Sequence, residues 1–200
     1  MKRILTIVEG EGDMKAVPEL VRRIAIAKGH YALVVCTPQR RGDLPKVLQR
    51  FNDFYTTALL EDWPVLWVLD YDCEQCVDQS ADIQKLQDRA FAMAPGKACA
   101  FAFMVQEFES LFLAGHETTR RVFSDIPPSV VFPADAEAVR DAKGWLSKAR
   151  PKGSAYKPTQ HQSKLASQVD LDRLRLRSPS YVRFEAAVEG LLSSQTVASE

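Results

Sequence analysis

Apolar runs and helix-periodic stretches alternate along the first hundred residues. ILTIV (4–8) is a β-rich run that ends in a glycine-rich turn. After it, Val17, Leu20, Val21, Ile24 and Ile26 recur near helical spacing, which predicts a helix over 14–28 closed by Gly29. Pro18 fits that helix within its first turn, where backbone N–H groups have no partner in any case. YALVVC (31–36) reads as a second strand, and 43–60 as a helix with Leu44, Val47, Leu48, Phe51, Phe54 and Tyr55 turned inward. PVLWVL (64–69) carries almost no polar residue, as expected of a strand covered on both faces. A helix over 81–93 and a strand over 98–105 (ACAFAFMV) complete the series. Strands separated by crossover helices imply an α/β fold with a parallel four-stranded sheet flanked by helices.

Beyond residue 107 the strand pattern stops. FESLFL (108–113) reads as a short apolar helix and DIPPSVVFPAD (125–135) as a proline-marked loop. Helices are expected at about 134–149, 159–168 and 180–192, forming a helical C-terminal extension. The expected organisation is a metal-binding core over 1–115 with a basic helical extension over 116–200 packed on it as one structural unit.

The metal expectation comes from where the acids fall. Glu9, Glu11 and Asp13 follow the first strand, Asp70 and Asp72 close the third, and Glu107 and Glu109 follow the fourth. In a parallel sheet, neighbouring strands present their carboxyl ends along one edge, so these acids converge there. Carboxylates crowded together either retain protons or bind a cation, and an all-oxygen set suits Mg2+ or Mn2+. Bland roles compete: Asp13 suits a helix N-cap, Glu11 favours the same helix terminus, and Glu9 could simply mark a strand exit. Asp70 and Asp72 are harder to dismiss, because positions i and i+2 of an extended backbone point the same way.

Composition narrows the class. The 200-residue chain has a formal net charge of zero and 46% hydrophobic residues, an ordinary globular balance. No apolar run approaches the roughly 20 residues that span a bilayer, and MKRILTIVEG meets acids too early for a secretory signal, so a cytoplasmic protein with no membrane partner is expected. Cys36 and Cys99 read as buried thiols. Cys73 and Cys76 form a lone CxxC, with His30, His116 and His161 scattered, which is too few soft ligands for a zinc site. The zero net charge hides an asymmetry: residues 1–139 hold 15 Lys+Arg against 20 Asp+Glu, and residues 140–185 hold 11 against 4. An acidic half joined to a basic half suits a phosphate-bearing ligand, and equally suits a solvated helical surface.

The residues now carry a resemblance. VEGEGDMKAVPEL is similar to the opening motif of Toprim domains, and most of all to the variant in overcoming-lysogenization-defect (OLD) nucleases, in which Glu-Gly is followed by a further acid and an apolar helix with proline. That pairs Glu9 with Asp13 and leaves Glu11 as an extra. DYD at 70–72 looks like the Toprim Asp-x-Asp. The whole chain also resembles a small, uncharacterised bacterial family of stand-alone Toprim-like proteins, through EFESLFLA (107–114), the YKP segment with its Gln/Lys-rich helix (156–166) and RLRSPSYVRF (175–184).

The resemblance implies a Mg2+- or Mn2+-dependent nucleic-acid phosphodiester hydrolase, with DNA ahead of RNA as substrate and an ATPase partner in genome defence. Glu9, Asp13, Asp70 and Asp72 would hold the metal, with Glu11, Glu107 and Glu109 as further ligands. Glu9 could instead serve as general base or acid. Lys157, with Lys164 second, would be the lysine that neutralises the transition state, and Arg175, Arg177, Arg183 and Lys164 would contact phosphates. Two alternatives stay open. One is a non-catalytic Toprim-like subunit acting through an ATPase, a reading that salt-bridged acids would favour. The other, ranked lower, is an Asp-x-Asp phosphatase with Asp70 as nucleophile, which lacks a convincing later acidic pair.

Overall fold

The computed structural model describes residues 2–73 and 77–197. Cys76, half of the lone CxxC, lies outside the described residues. The chain begins with β1 (Arg3–Val8), α1 (Asp13–Ala27), β2 (Val34–Val35), β3 (Gln39–Arg40) and α2 (Leu44–Ala58). It continues with β4 (Val65–Tyr71), α3 (Gln79–Met93) and β5 (Cys99–Val105). All pairings in the sheet are parallel, in the order β2-β1-β4-β5, with β3 also beside β1. The sheet therefore has four strand positions, because β2 and β3 share one flank of β1. The expected strand over 31–36 is reduced to Val34–Val35, and a second short strand follows beyond it at Gln39–Arg40. Thr37 and Pro38 separate them, and proline has no N–H to give to a ladder.

The β-strands alternate as a covered sheet must. Leu5, Ile7, Val65, Trp67, Leu69, Phe101 and Phe103 face α2 and α3, where Phe51 stacks on Tyr55 and tilts against Trp67. Ile4, Val8, Leu66, Val68, Ala102 and Met104 face a larger core built with α1 and the C-terminal helices. Those helices are α4 (Ser110–Ala114), α5 (His116–Val122), α6 (Ala142–Lys148), α7 (Pro158–Ala166), α8 (Leu171–Arg177) and α9 (Pro179–Val197). α9 lies along β5, and α7 packs on α1. The Arg23 guanidinium of α1 donates to the carbonyls of Ala166 and Val169, satisfying acceptors left open at the end of α7. No helix among the described residues is long and apolar enough to cross a membrane.

Three local expectations change. Pro18 is the sixth residue of α1, past the first turn, so the helix carries it internally without the N–H that would bond Met14. The helix expected over 134–149 is only α6, with Asp141 capping it through Gly144 N–H. α5 and α8 had not been expected: each is only seven residues long, too short to show helical periodicity clearly.

Candidate functional site

β1 and β4 are adjacent, yet the chain leaves β1 towards β2 on one side and returns to β4 on the other. In open parallel sheets this reversal opens a crevice at the carboxyl edge, the usual place for a ligand. Glu9 follows β1 and Asp70 lies near the end of β4, so both flank the crevice. The Asp70 N–H donates to Glu9 Oε2 at 3.3 Å, which joins the two strand ends directly.

The third strand end is delivered by a strained turn. Gln106 has φ 62°, and the Glu107 N–H donates to the Val105 carbonyl at 3.0 Å, closing a γ-turn of a rare, strained hand. The chain thus doubles back, so that the Phe108 N–H donates to Asp70 Oδ1 at 2.8 Å. Glu107 and Glu109 then meet Lys143 of α6. The Lys143 ammonium lies 3.2 Å from Glu107 Oε1 and 3.6 Å from both Asp70 Oδ2 and Glu109 Oε2. Its backbone N–H also donates to Glu107 Oε2 at 3.0 Å, and Tyr156 donates its hydroxyl proton to Glu109 Oε1 at 3.2 Å.

Asp13 closes the fourth side. It is the first residue of α1, and its carboxylate reaches back to the Gly10 N–H at 2.8 Å. Its other oxygen accepts from Gln162 of α7 at 2.6 Å. Gly12 makes this possible: a Cβ there would fall 1.8 Å from Gln162 Oε1.

Asp70, Glu107 and Glu109 therefore surround a single ammonium, whose charge also reaches Glu9 and Asp13. Burial, with the charges of Asp72 and Asp13, pushes Glu9 up to about 7 against the Asp70 N–H and Lys143, which lower it. Burial and the charges of Glu9 and Asp13 raise Asp70 well above the carboxylate range. Asp13 is raised by burial, against the bonds from Gly10 and Gln162. Burial pushes Glu109 up to about 7, with Lys143 opposing. For Lys143, burial works against the charge, but Glu109, Asp70 and Glu107 outweigh it and raise its pKa.

In chemical type this set fits a hard divalent cation. All its donors are oxygens, three of the acids are fully or nearly buried, and Glu109 Oε2 is enclosed without a hydrogen bond. As they stand, no three His, Cys, Asp or Glu side chains among the described residues are gathered to hold a metal, and Lys143 lies against Asp70, Glu107 and Glu109. Glu9, Asp13 and Asp72 have no ion-pair partner among the described residues, and Asp72 is exposed at the rim.

Other predicted residues lie elsewhere. Glu11 is exposed and pairs with Arg40 at 3.0 Å. Lys157 is exposed at the start of α7, where its backbone N–H donates to His161 Nδ1; it takes no part in the acid cluster. The lysine that reaches the acids is Lys143. Arg175 forks onto Glu185 and also pairs with Asp172, and Arg177 forks onto both oxygens of Glu117 at 2.8 Å. Arg183 donates to Ser180. These arginines hold α8 and α9 in place, and only Lys164 of the expected phosphate contacts stays exposed and unpaired among the described residues.

The fold matches that of solved proteins across its whole length. The C-terminal region of the OLD protein from Xanthomonas campestris pv. campestris superposes with a TM-score of 0.50 at 13% identity, covering 100% of this chain and 99% of that one. The C-terminal region of the Burkholderia pseudomallei OLD protein gives 0.42 at 12% identity, covering 97% and 98%. At such identity the likeness is one of fold, the Toprim-like fold of the OLD C-terminal region. No curated protein matches the chain by sequence. A family profile described as a domain of unknown function, DUF4276, matches residues 8–189, and the chain belongs to that family.

Proposed function

We propose that the protein is a metal-dependent nucleic-acid phosphodiester hydrolase whose site is the carboxyl edge between β1 and β4. The observation that carries this reading is the joining of Glu9 and Asp70 across the switch point, with more buried carboxyls around them than one lysine can balance. Mg2+ or Mn2+ held by Glu9, Asp70 and Asp72 would supply Lewis-acid activation of a phosphate oxygen and of water. The protein's own groups do the rest. Asp13, fixed by Gly10 and Gln162, adds negative charge behind Glu9. Glu9 is pushed up to about 7 in the metal-free protein, so it gives up a proton on ligating the cation; in the alternative where Asp70 and Asp72 hold the metal without it, that proton serves general acid or base catalysis. Lys143, held charged by its three acids, takes the part of the lysine that offsets charge gathering on the phosphate. An ATPase partner, and a role in genome defence, belong to this proposal as implications of the resemblance to OLD nucleases.

A second reading is favoured by one observation: Lys143 already pairs with Asp70, Glu107 and Glu109, as in a scaffold whose acids are structural. Titration calorimetry with Mn2+ separates the two. The wild type binds Mn2+ and the Asp70→Ala/Asp72→Ala variant, still folded by circular dichroism, loses both the binding heat and cleavage of a labelled DNA or RNA. No Mn2+ heat in the wild type, or undiminished cleavage in the variant, removes this site from the mechanism.

A further inference from the structure

A groove of about 610 Å3 runs between α1 and α7, floored by residues 35–38. Lys15 and Arg22 enter it from α1, and Ser163, Lys164 and Ser167 from α7. Glu19 is the one acid in its lining and is paired with Arg22 at 3.6 Å. Lys15 and Lys164 are exposed, and among the described residues neither has an ion-pair partner. Arg150, Arg175 and Arg177 of the basic C-terminal half behave differently, since each is paired with an acid. The groove adjoins the acid site along the chain, although no acid of that site lines it. Lys15 lies two residues beyond Asp13, Ser163 follows Gln162, and Asp13 and Gln162 are bonded at 2.6 Å.

We infer that this groove holds the sugar-phosphate backbone of a single nucleic-acid strand next to the phosphodiester positioned at Glu9 and Asp70. Two unpaired ammonium groups from facing helices meet the spaced negative charges of a strand, and the serine hydroxyls give hydrogen bonds to phosphate oxygens. Charge contacts of this kind carry no sequence information, so binding is indifferent to base order. The inference rests on the phosphodiesterase reading for its choice of substrate, but its test does not need catalysis.

Fluorescence anisotropy in EDTA, with labelled 20-nucleotide DNA and RNA strands across a salt series, measures it. Lys15→Glu/Lys164→Glu weakens binding at least tenfold at low salt, and its log–log salt slope is shallower than the wild type's by about 1.4, the value for two lost phosphate contacts on a single strand. Lys46→Glu/Lys85→Glu makes the same charge change on α2 and α3, across the sheet from the groove, and shifts affinity less than threefold. Both are exposed-lysine changes whose folding is checked by thermal melting. Wild-type protein that binds neither strand, or a groove variant indistinguishable from the control pair, overturns the inference. Groove-dependent binding without any cleavage in Mn2+ leaves the groove standing and removes the enzyme reading instead.

Discussion

Two charged regions of this molecule obey opposite rules. Around α8 and α9, Arg175 forks onto Glu185, Arg177 forks onto Glu117, and Arg150 of the preceding segment forks onto Asp125, so each of these three cations has its own acid. The Arg177 bond holds Glu117 down to about 2, and Arg150 lowers Asp125. At the carboxyl edge, Asp70, Glu107 and Glu109 share Lys143, Glu9 and Asp13 have no ion-pair partner among the described residues, and Glu9 and Glu109 are pushed up to about 7. Paired charge adds to a scaffold, whereas crowded, buried carboxyls cost folding free energy unless a proton or a cation arrives. The excess is what distinguishes a site from a surface.

The sharpest way to break this contrast is to remove the shared cation. Lys143→Met leaves Asp70, Glu107 and Glu109 unbalanced and is expected to cost about 2–3 kcal/mol in urea unfolding at pH 7.5, after discounting the lysine's exposed part for solvent screening. The cost shrinks at pH 5, where the raised acids hold protons, and Mn2+ restores part of it. A loss that does not change with pH would mean that Lys143 acts by packing alone.

The scaffold side responds without reference to metal. Glu185→Ala leaves Arg175 paired with the exposed Asp172 in place of its forked, buried partner and is expected to cost about 2 kcal/mol. Mn2+ gives this variant the same stabilisation as the wild type. A metal-dependent difference between the two would tie the scaffold to the site.

Next in size is the pH dependence of the metal-free protein. Glu9 and Glu109 have ordinary values of 4.5 and folded values of about 7, so the unfolded chain gives up their protons first as pH rises. Stability from these groups therefore falls between about pH 4.5 and 7 and stays low above it. In EDTA, Tm is expected to be about 5 °C lower at pH 8 than at pH 5.5, with Mn2+ stabilising more at pH 8. A Tm that rises across this range would contradict the raised values. The smallest effect is expected from Gly12→Ala, whose methyl must displace Gln162 from Asp13, at about 1–2 kcal/mol by thermal melting.

The frame was legible in the sequence where physics is local. Apolar runs at 4–8, 64–69 and 98–105 gave three strands, and acids just past them had to lie on one edge once the strands were parallel. Asp70 and Glu9 were visible for that reason. Lys143 was not: it sits early in a seven-residue helix, 36 residues from Glu107, and nothing in its neighbours marks it as a site residue. Lys157 drew attention through the YKP segment, yet its side chain is outside the cluster. Gln162 was hidden for the same reason as Lys143, since its bond to Asp13 spans 149 residues. The basic tail misled in a different way, because charge summed along sequence cannot reveal that Glu117 and Glu185 neutralise its arginines in space.

The central claim is that acids brought together at the switch point take a divalent cation. Anomalous diffraction from crystals of the protein soaked in Mn2+ tests it most directly. The account predicts a peak within ligating distance of Glu9 and Asp70, with Lys143 drawn back from Asp70. Crystals that show no peak there, and Lys143 still seated among Asp70, Glu107 and Glu109, would contradict it.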